Sequence, residues 1–231
     1  MMTDRPIPFT APMVRALLEG RKTMTRRVLK PQPSPDFIGA TIDADGLTVQ
    51  PAFLFGSDTH KALRRIPRPR GGLWVREAWR TDPGLDHLSG KKIEAACLEA
   101  DYLRAWAPIV YEADGMAVHG VGRYRHARFM PRWASRITLI VTDVRVQRLQ
   151  EISEEDAWAE GITPPSETMT MAEAAAICSR YKTDHAGIAV YASLWDSINA
   201  KRGYGWDTNP WVVAYTFRTI LANIDSLSEA A

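Results

Sequence analysis

The stretch from Arg136 to Leu149 limits the fold more than any other part of the chain. Ile137, Leu139 and Val141 fall on one parity, while Val144 and Val146 fall on the other. Apolar residues at every second position mark a strand with one buried face. A shift of parity within such a run moves the apolar set to the opposite face, so a bulge or a tight turn is expected at Thr142-Asp143. A strand this long needs neighbours to satisfy its backbone. Three other segments offer them: Met24 to Leu29, Leu73 to Trp79, and Trp211 to Arg218, where Trp211, Val213, Tyr215 and Phe217 alternate.

Helical signals lie between these strands. Ala11 to Glu19 carries Met13, Ala16 and Leu17 at helical spacing, with Pro12 in the first turn and Gly20 placed to end it in a left-handed conformation. Ser153 precedes three acids, Glu154-Glu155-Asp156, the pattern of a helix N-cap with charges that suit the dipole, and Gly161 closes that helix. Ala172 to Arg180 and Tyr191 to Asn199 read as two further helices, with a Pro164-Pro165 loop before them. Prolines 31, 33, 35, 51, 67 and 69 make Lys30 to Arg70 a long excursion holding one hairpin around Asp45-Gly46. A second excursion, Thr81 to Met130, contains a helical patch near Ile93–Arg104.

This order of elements predicts an α+β fold rather than a doubly wound sheet. A small, partly open β-barrel with helices at its rim satisfies it best. One domain over 1–221 is expected, with insertions at about 31–70, 81–130 and 163–186, and 222–231 as a flexible tail.

Composition narrows the function. With 45% apolar and 24% charged residues among 231, the chain can bury a core. A formal charge of +2 argues against a generic nucleic-acid coat. No apolar run approaches the roughly 18–20 residues that span a bilayer. Two distant cysteines, Cys97 and Cys178, fit a reducing cytoplasm and exclude a disulfide scaffold. The five histidines are scattered without ligand spacing, so neither a metal nor a cofactor is expected.

The densest chemical signal is Gly20-Arg21-Lys22-Thr23-Met24-Thr25-Arg26-Arg27. A threonine hydroxyl becomes nucleophilic only beside a base, and a lysine serves as that base only when its amine is neutral. Burial, or the neighbouring cations Arg21, Arg26 and Arg27, would push Lys22 that way. Lys22 and Thr25 share a side only if the chain turns between them, since a regular strand sends them to opposite faces.

Gly-Arg-Lys-Thr-x-Thr-x-Arg after a helix resembles the signature of the ASCH superfamily, whose fold is a PUA-like β-barrel. Gly71-Gly72-Leu73-Trp74-Val75-Arg76, the acidic helix Leu149 to Glu160, and Trp211 to Arg218 are similar to further segments of that family, in the same order. Met130 to Arg136 resembles the longer phage- and prophage-encoded members. The resemblance implies an N4-acetylcytidine amidohydrolase activity, with Lys22 as base, Thr25 as nucleophile and Glu160 as the acid that positions Lys22 and shuttles a proton. Attack by a water activated at Lys22 and Glu160 is the alternative route. Arg21 and Arg27 would bind the nucleoside substrate, and Trp79 and Trp133 would wall its base.

A rival reading rests on charge. His119 to Arg136 holds Arg123, Arg125, Arg128, Arg132 and Arg136 without an acid, interleaved with Tyr124, Phe129 and Trp133. Such a mixture can track phosphates and stack bases, as an RNA-binding module or ribonuclease would. Lys61 to Arg70 is a second basic patch.

Overall fold

A computed structural model describes residues 4–33, 37, 40–42, 47–49, 72–99, 109–115 and 120–228. In chain order its elements begin with β1 (Arg5–Pro8), α1 (Ala11–Leu18) and β2 (Met24–Val28). β3 (Ala40–Ile42), β4 (Leu47–Val49), β5 (Gly72–Arg76) and β6 (Trp79–Arg80) follow. Next come α2 (Gly90–Glu99), β7 (Val110–Tyr111) and the long β8 (Thr138–Arg148). The remainder is α3 (Glu154–Ala159), α4 (Pro165–Thr168), α5 (Met171–Tyr181), α6 (Ala186–Asn199), β9 (Trp211–Ile220) and α7 (Ile224–Ser228). The class is mixed α+β. Among the described residues the strand pairings do not close into a barrel.

Contacts cluster into two compact units, each drawn from separate stretches: 1–19, 71–140 and 219–231 in the first, 20–70 and 141–218 in the second. The chain passes from one to the other within β8.

In the first unit β1 runs parallel to β5, and β5 runs antiparallel to the start of β8. Helix α7 packs on β5, with Ile224 only 5% exposed. A Cβ on Gly72 would lie 2.5 Å from Ile224 Cδ1 and 2.7 Å from Asp4 Oδ1, so a larger residue there would displace both side-chain ends. Residues 224–228 are therefore an ordered part of the unit, against the expectation of a loose tail; 229–231 lie outside the described residues. A satellite core gathers Trp79, Ile93, Met130 and Ala134. The helical patch expected at Ile93–Arg104 is α2; 100–104 fall outside the described residues.

In the second unit β2 pairs antiparallel with β9, and β3 pairs with both β4 and β8. The β3–β4 register, Ala40 opposite Val49 and Ile42 opposite Leu47, is the hairpin expected around Asp45-Gly46, whose turn lies outside the described residues. The basic patch Lys61 to Arg70 also lies outside them. The core joins Leu149, Ile152, Ala157, Tyr191, Trp195 and Val212 under α3 and α6. Helix α6 starts five residues before the apolar pattern suggests, because the Glu154 carboxylate accepts hydrogen bonds from the Gly187 and Ile188 N–H groups, at 2.8 and 3.0 Å. That carboxylate satisfies donors which a helix N-terminus leaves open.

The parity flip in β8 needs no turn. The strand is unbroken, with Leu139 and Val141 buried before the flip and Val144 and Val146 after it. β9 departs from simple alternation as well. Trp211 to Tyr215 are buried without a break, so this strand is covered on both faces.

Candidate functional site

Helix α3 ends where the site begins. Glu160 is its C-cap residue and Gly161 turns the chain away at φ +81°. Only glycine adopts that left-handed conformation without strain. The turn lays Glu160 against the strand entry of the second unit, where Lys22 and Glu160 form an antiparallel bridge. Thr23 N–H donates to Ala159 O at 2.9 Å, and the Arg21 guanidinium donates to Gly161 O at 3.0 Å.

Within this frame the Lys22 ammonium donates to the Glu160 backbone carbonyl at 2.6 Å and to its carboxylate Oε2 at 2.9 Å. Both residues are almost wholly buried, at 2% and 4% exposure. The other carboxylate oxygen accepts from Arg26 Nη1 at 3.2 Å and from the Tyr191 hydroxyl at 3.5 Å. Arg26 also donates through Nη2 to Asp156 at 2.5 Å, and Arg145 Nη2 reaches the same carboxylate at 3.0 Å.

Sequence spacing explains why these groups meet. Asp156 and Glu160 are one helical turn apart and share a face of α3 and its cap. Lys22, Met24 and Arg26 share strand parity, and all three turn toward α3. Met24 carries the contact to Arg145, 3.9 Å from its sulfur.

Among the described residues Lys22, Arg26 and Arg145 share the carboxylates of Asp156 and Glu160, Arg145 also meets Asp143 at 3.4 Å, and Arg27 adds a fourth positive charge nearby. Burial lowers the Lys22 pKa below that of an ordinary lysine; Glu160 opposes the shift, and Arg27 and Arg26 reinforce it. The shift is in the direction that a general base requires. Burial, followed by the Glu160 charge, pushes the Tyr191 phenol well above 10.

Tyr111, in the first unit, is raised to about 12 by burial and then by Glu77, although the Arg136 guanidinium lies 3.8 Å over its ring. These two phenols make a prediction. An unfolded tyrosine ionises near 10, so their contribution to stability is complete below pH 10 and is lost as pH rises above it, through about 12 for Tyr111. Across its window Tyr111 should cost about 1.4 kcal/mol per pH unit. Tyrosinate absorbance should show steps that disappear in Tyr111→Phe and Tyr191→Phe. Urea midpoints of the parent should fall steeply above about pH 10.

The other residues expected at the site distribute unevenly. Thr25 is buried on β2 opposite Tyr215, and the strand already runs from Met24, so the required turn between Lys22 and Thr25 is not formed there. Strand alternation gives Thr25 and Arg27 the parity opposite to Lys22. Trp79 has no exposed surface; it is core of the first unit, with the Arg125 guanidinium 5.0 Å over its ring, and does not wall a pocket. Trp133 is half-buried against the same core and donates to Gly90 O at 3.4 Å.

Asp156, Arg145 and Tyr191 were not picked out by the sequence as site residues. The i, i+4 pair Asp156/Glu160 was the available signal for the first. Tyr191 is indistinguishable from core by spacing alone.

No family model, curated protein or solved structure matches the chain. Among the described residues no helix is long and apolar enough to cross a membrane.

Proposed function

We propose that this chain is a PUA-like protein of the ASCH type, working in the cytoplasm, that hydrolyses the amide of N4-acylated cytosine nucleosides such as N4-acetylcytidine. The observation that carries the reading is the buried Lys22 amine, 2.9 Å from the Glu160 carboxylate, with its pKa lowered by burial. The order of four motif segments supports it at the level of family.

In this reading Lys22, as free amine, takes a proton from water while the water oxygen bonds to the acyl carbon. Glu160 stabilises the resulting ammonium, and the Arg27 charge, coupled to Lys22 and Glu160, helps hold the Lys22 pKa down. The tetrahedral adduct then collapses. Its bond to N4 breaks, the Lys22 ammonium returns the proton to that nitrogen, and cytidine leaves with the carboxylic acid as co-product. Water is favoured over Thr25 as nucleophile because strand alternation separates the threonine hydroxyl from Lys22.

The test follows the ultraviolet change as purified protein is mixed with N4-acetylcytidine and related acylcytosines. Lys22→Met should lower turnover about 10²–10⁴-fold with the fold retained by circular dichroism, whereas Thr25→Ala should retain most of it. Absence of turnover on every acylcytosine tried would sink the proposal. A loss in Thr25→Ala equal to that in Lys22→Met would restore the threonine as nucleophile.

A further inference from the structure

The first unit holds a cavity of about 890 Å³ that the Lys22 chemistry does not use. It is lined by residues of β5, of the segment entering α2, and of the arginine-rich stretch 123–132. Six cations reach it, Arg76, Lys91, Arg123, Arg125, Arg128 and Arg132, against a single acid, Glu94. Two of the six are already neutralised. Arg125 pairs with Asp86 at 3.0 Å, and Arg132 pairs with Asp4 and Asp225, both at 2.8 Å. Arg76, Lys91 and Arg128 have no carboxylate partner among the described residues, and Arg123 has only Asp86 beside it, which accepts its backbone N–H at 2.8 Å and is already paired with Arg125. Arg76 also keeps its Nε buried without an acceptor there. A protein does not ordinarily leave a buried guanidinium donor open, or gather so many under-compensated cations around one concavity.

The same cavity presents two aromatic faces. Tyr124 and Phe129 are 52% and 59% exposed, which is unusual for rings of that size outside an interface. Each has a guanidinium over it, Arg128 at 4.7 Å from the Phe129 centroid and Arg80 at 5.6 Å from that of Tyr124. Exposed rings beside under-compensated cations suit a ligand that is both planar and multiply anionic.

We propose that this cavity binds a nucleotide through its phosphates and its base: Arg123 and Arg128 hold phosphate oxygens, and Phe129 or Tyr124 stacks the ring. The nucleotide is either free or one residue of a single strand; the chemistry is shared. The volume lies within the range of ordinary ligand sites. This inference is independent of the amidohydrolase reading, since it uses none of that site's residues.

The experiment titrates the full-length protein with three probes: a nucleoside triphosphate, inorganic tripolyphosphate, and a fluorescently labelled single-stranded RNA oligonucleotide. The nucleotide or the oligonucleotide should bind more tightly than tripolyphosphate, with affinity falling as salt rises. Arg123→Ser combined with Arg128→Ser should weaken binding at least about tenfold and flatten the salt dependence. Phe129→Ala or Tyr124→Ala should weaken it about fivefold or more without changing that dependence. All four side chains are exposed, so the variants should fold. Competition of the triphosphate with the oligonucleotide would assign the free nucleotide as a ligand, and binding of the oligonucleotide alone would assign the strand. The proposal is overturned if neither probe binds, if tripolyphosphate binds as well as the nucleotide, or if the aromatic and arginine variants bind like the parent.

Discussion

Glu160→Ala lowers stability by about 3–5 kcal/mol, the cost of leaving a buried charge without its partner. The carboxylate is 4% exposed and accepts from Lys22, Arg26 and Tyr191 at once. Removing it leaves Lys22 and Arg26 in low dielectric with Asp156 as the remaining carboxylate of the cluster. Lys22 can escape by losing its proton, but Arg26 cannot, because a guanidinium stays protonated in proteins. The loss should therefore persist at high pH, where a lysine-only penalty would fade. Chemical denaturation of the parent, Glu160→Ala and the double variant Lys22→Met/Glu160→Ala measures this directly. The double variant should recover part of the loss, since one stranded cation is gone. A loss below about 1 kcal/mol would mean that the pair behaves as a surface salt bridge.

Trp79→Ala should destabilise the protein by about 3–5 kcal/mol, the range for a large aromatic removed from a core. Trp79 is fully buried among Ile93, Met130 and Ala134 and lies beneath the Arg125 guanidinium. The substitution removes ring volume that the neighbours cannot refill. It also uncovers a cation whose remaining partners are Asp86 and two backbone carbonyls. Were Trp79 a pocket wall, the same change would alter ligand affinity with little effect on unfolding. Denaturation midpoints beside a binding titration separate the two cases, and a near-neutral change in stability would return Trp79 to the surface.

These two residues show which parts of the molecule the sequence made legible. Capping chemistry is local, so Gly20 and Gly161 as helix stops and Ser153 as an N-cap could be read directly; all three act as read. Periodicity marked β8, β9 and α6 because each lays apolar residues against a core. It could not show that β9 is buried on both faces, since apolar residues on the second face carry no contrast. Trp79 failed for the related reason that a tryptophan in a core and one in a ligand cleft have the same neighbours in sequence. Lys22 and Glu160 are 138 positions apart, and their contact depends on Gly161 turning α3 onto the strand entry. Only the family resemblance suggested that pairing. Asp156, Arg145 and Tyr191 complete the cluster through tertiary contacts, and a tertiary contact leaves no mark in composition.

The interleaved build of the first unit constrains how the chain can reach its native state during synthesis. Its sheet and satellite core come from residues before 141, yet α7, which seats Ile224 on Gly72, is made only after the whole of 141–218 has emerged. Translation at about 5–20 residues per second leaves that surface waiting for several seconds. During that interval both edges of β5 are already paired, by β1 and β8, but the face that Ile224 covers stays open to apolar contact with other chains. A chaperone that shields apolar strands should therefore raise the yield of soluble protein more than slow cooling of the purified chain does. The same connectivity means that neither unit can be excised by a single cut.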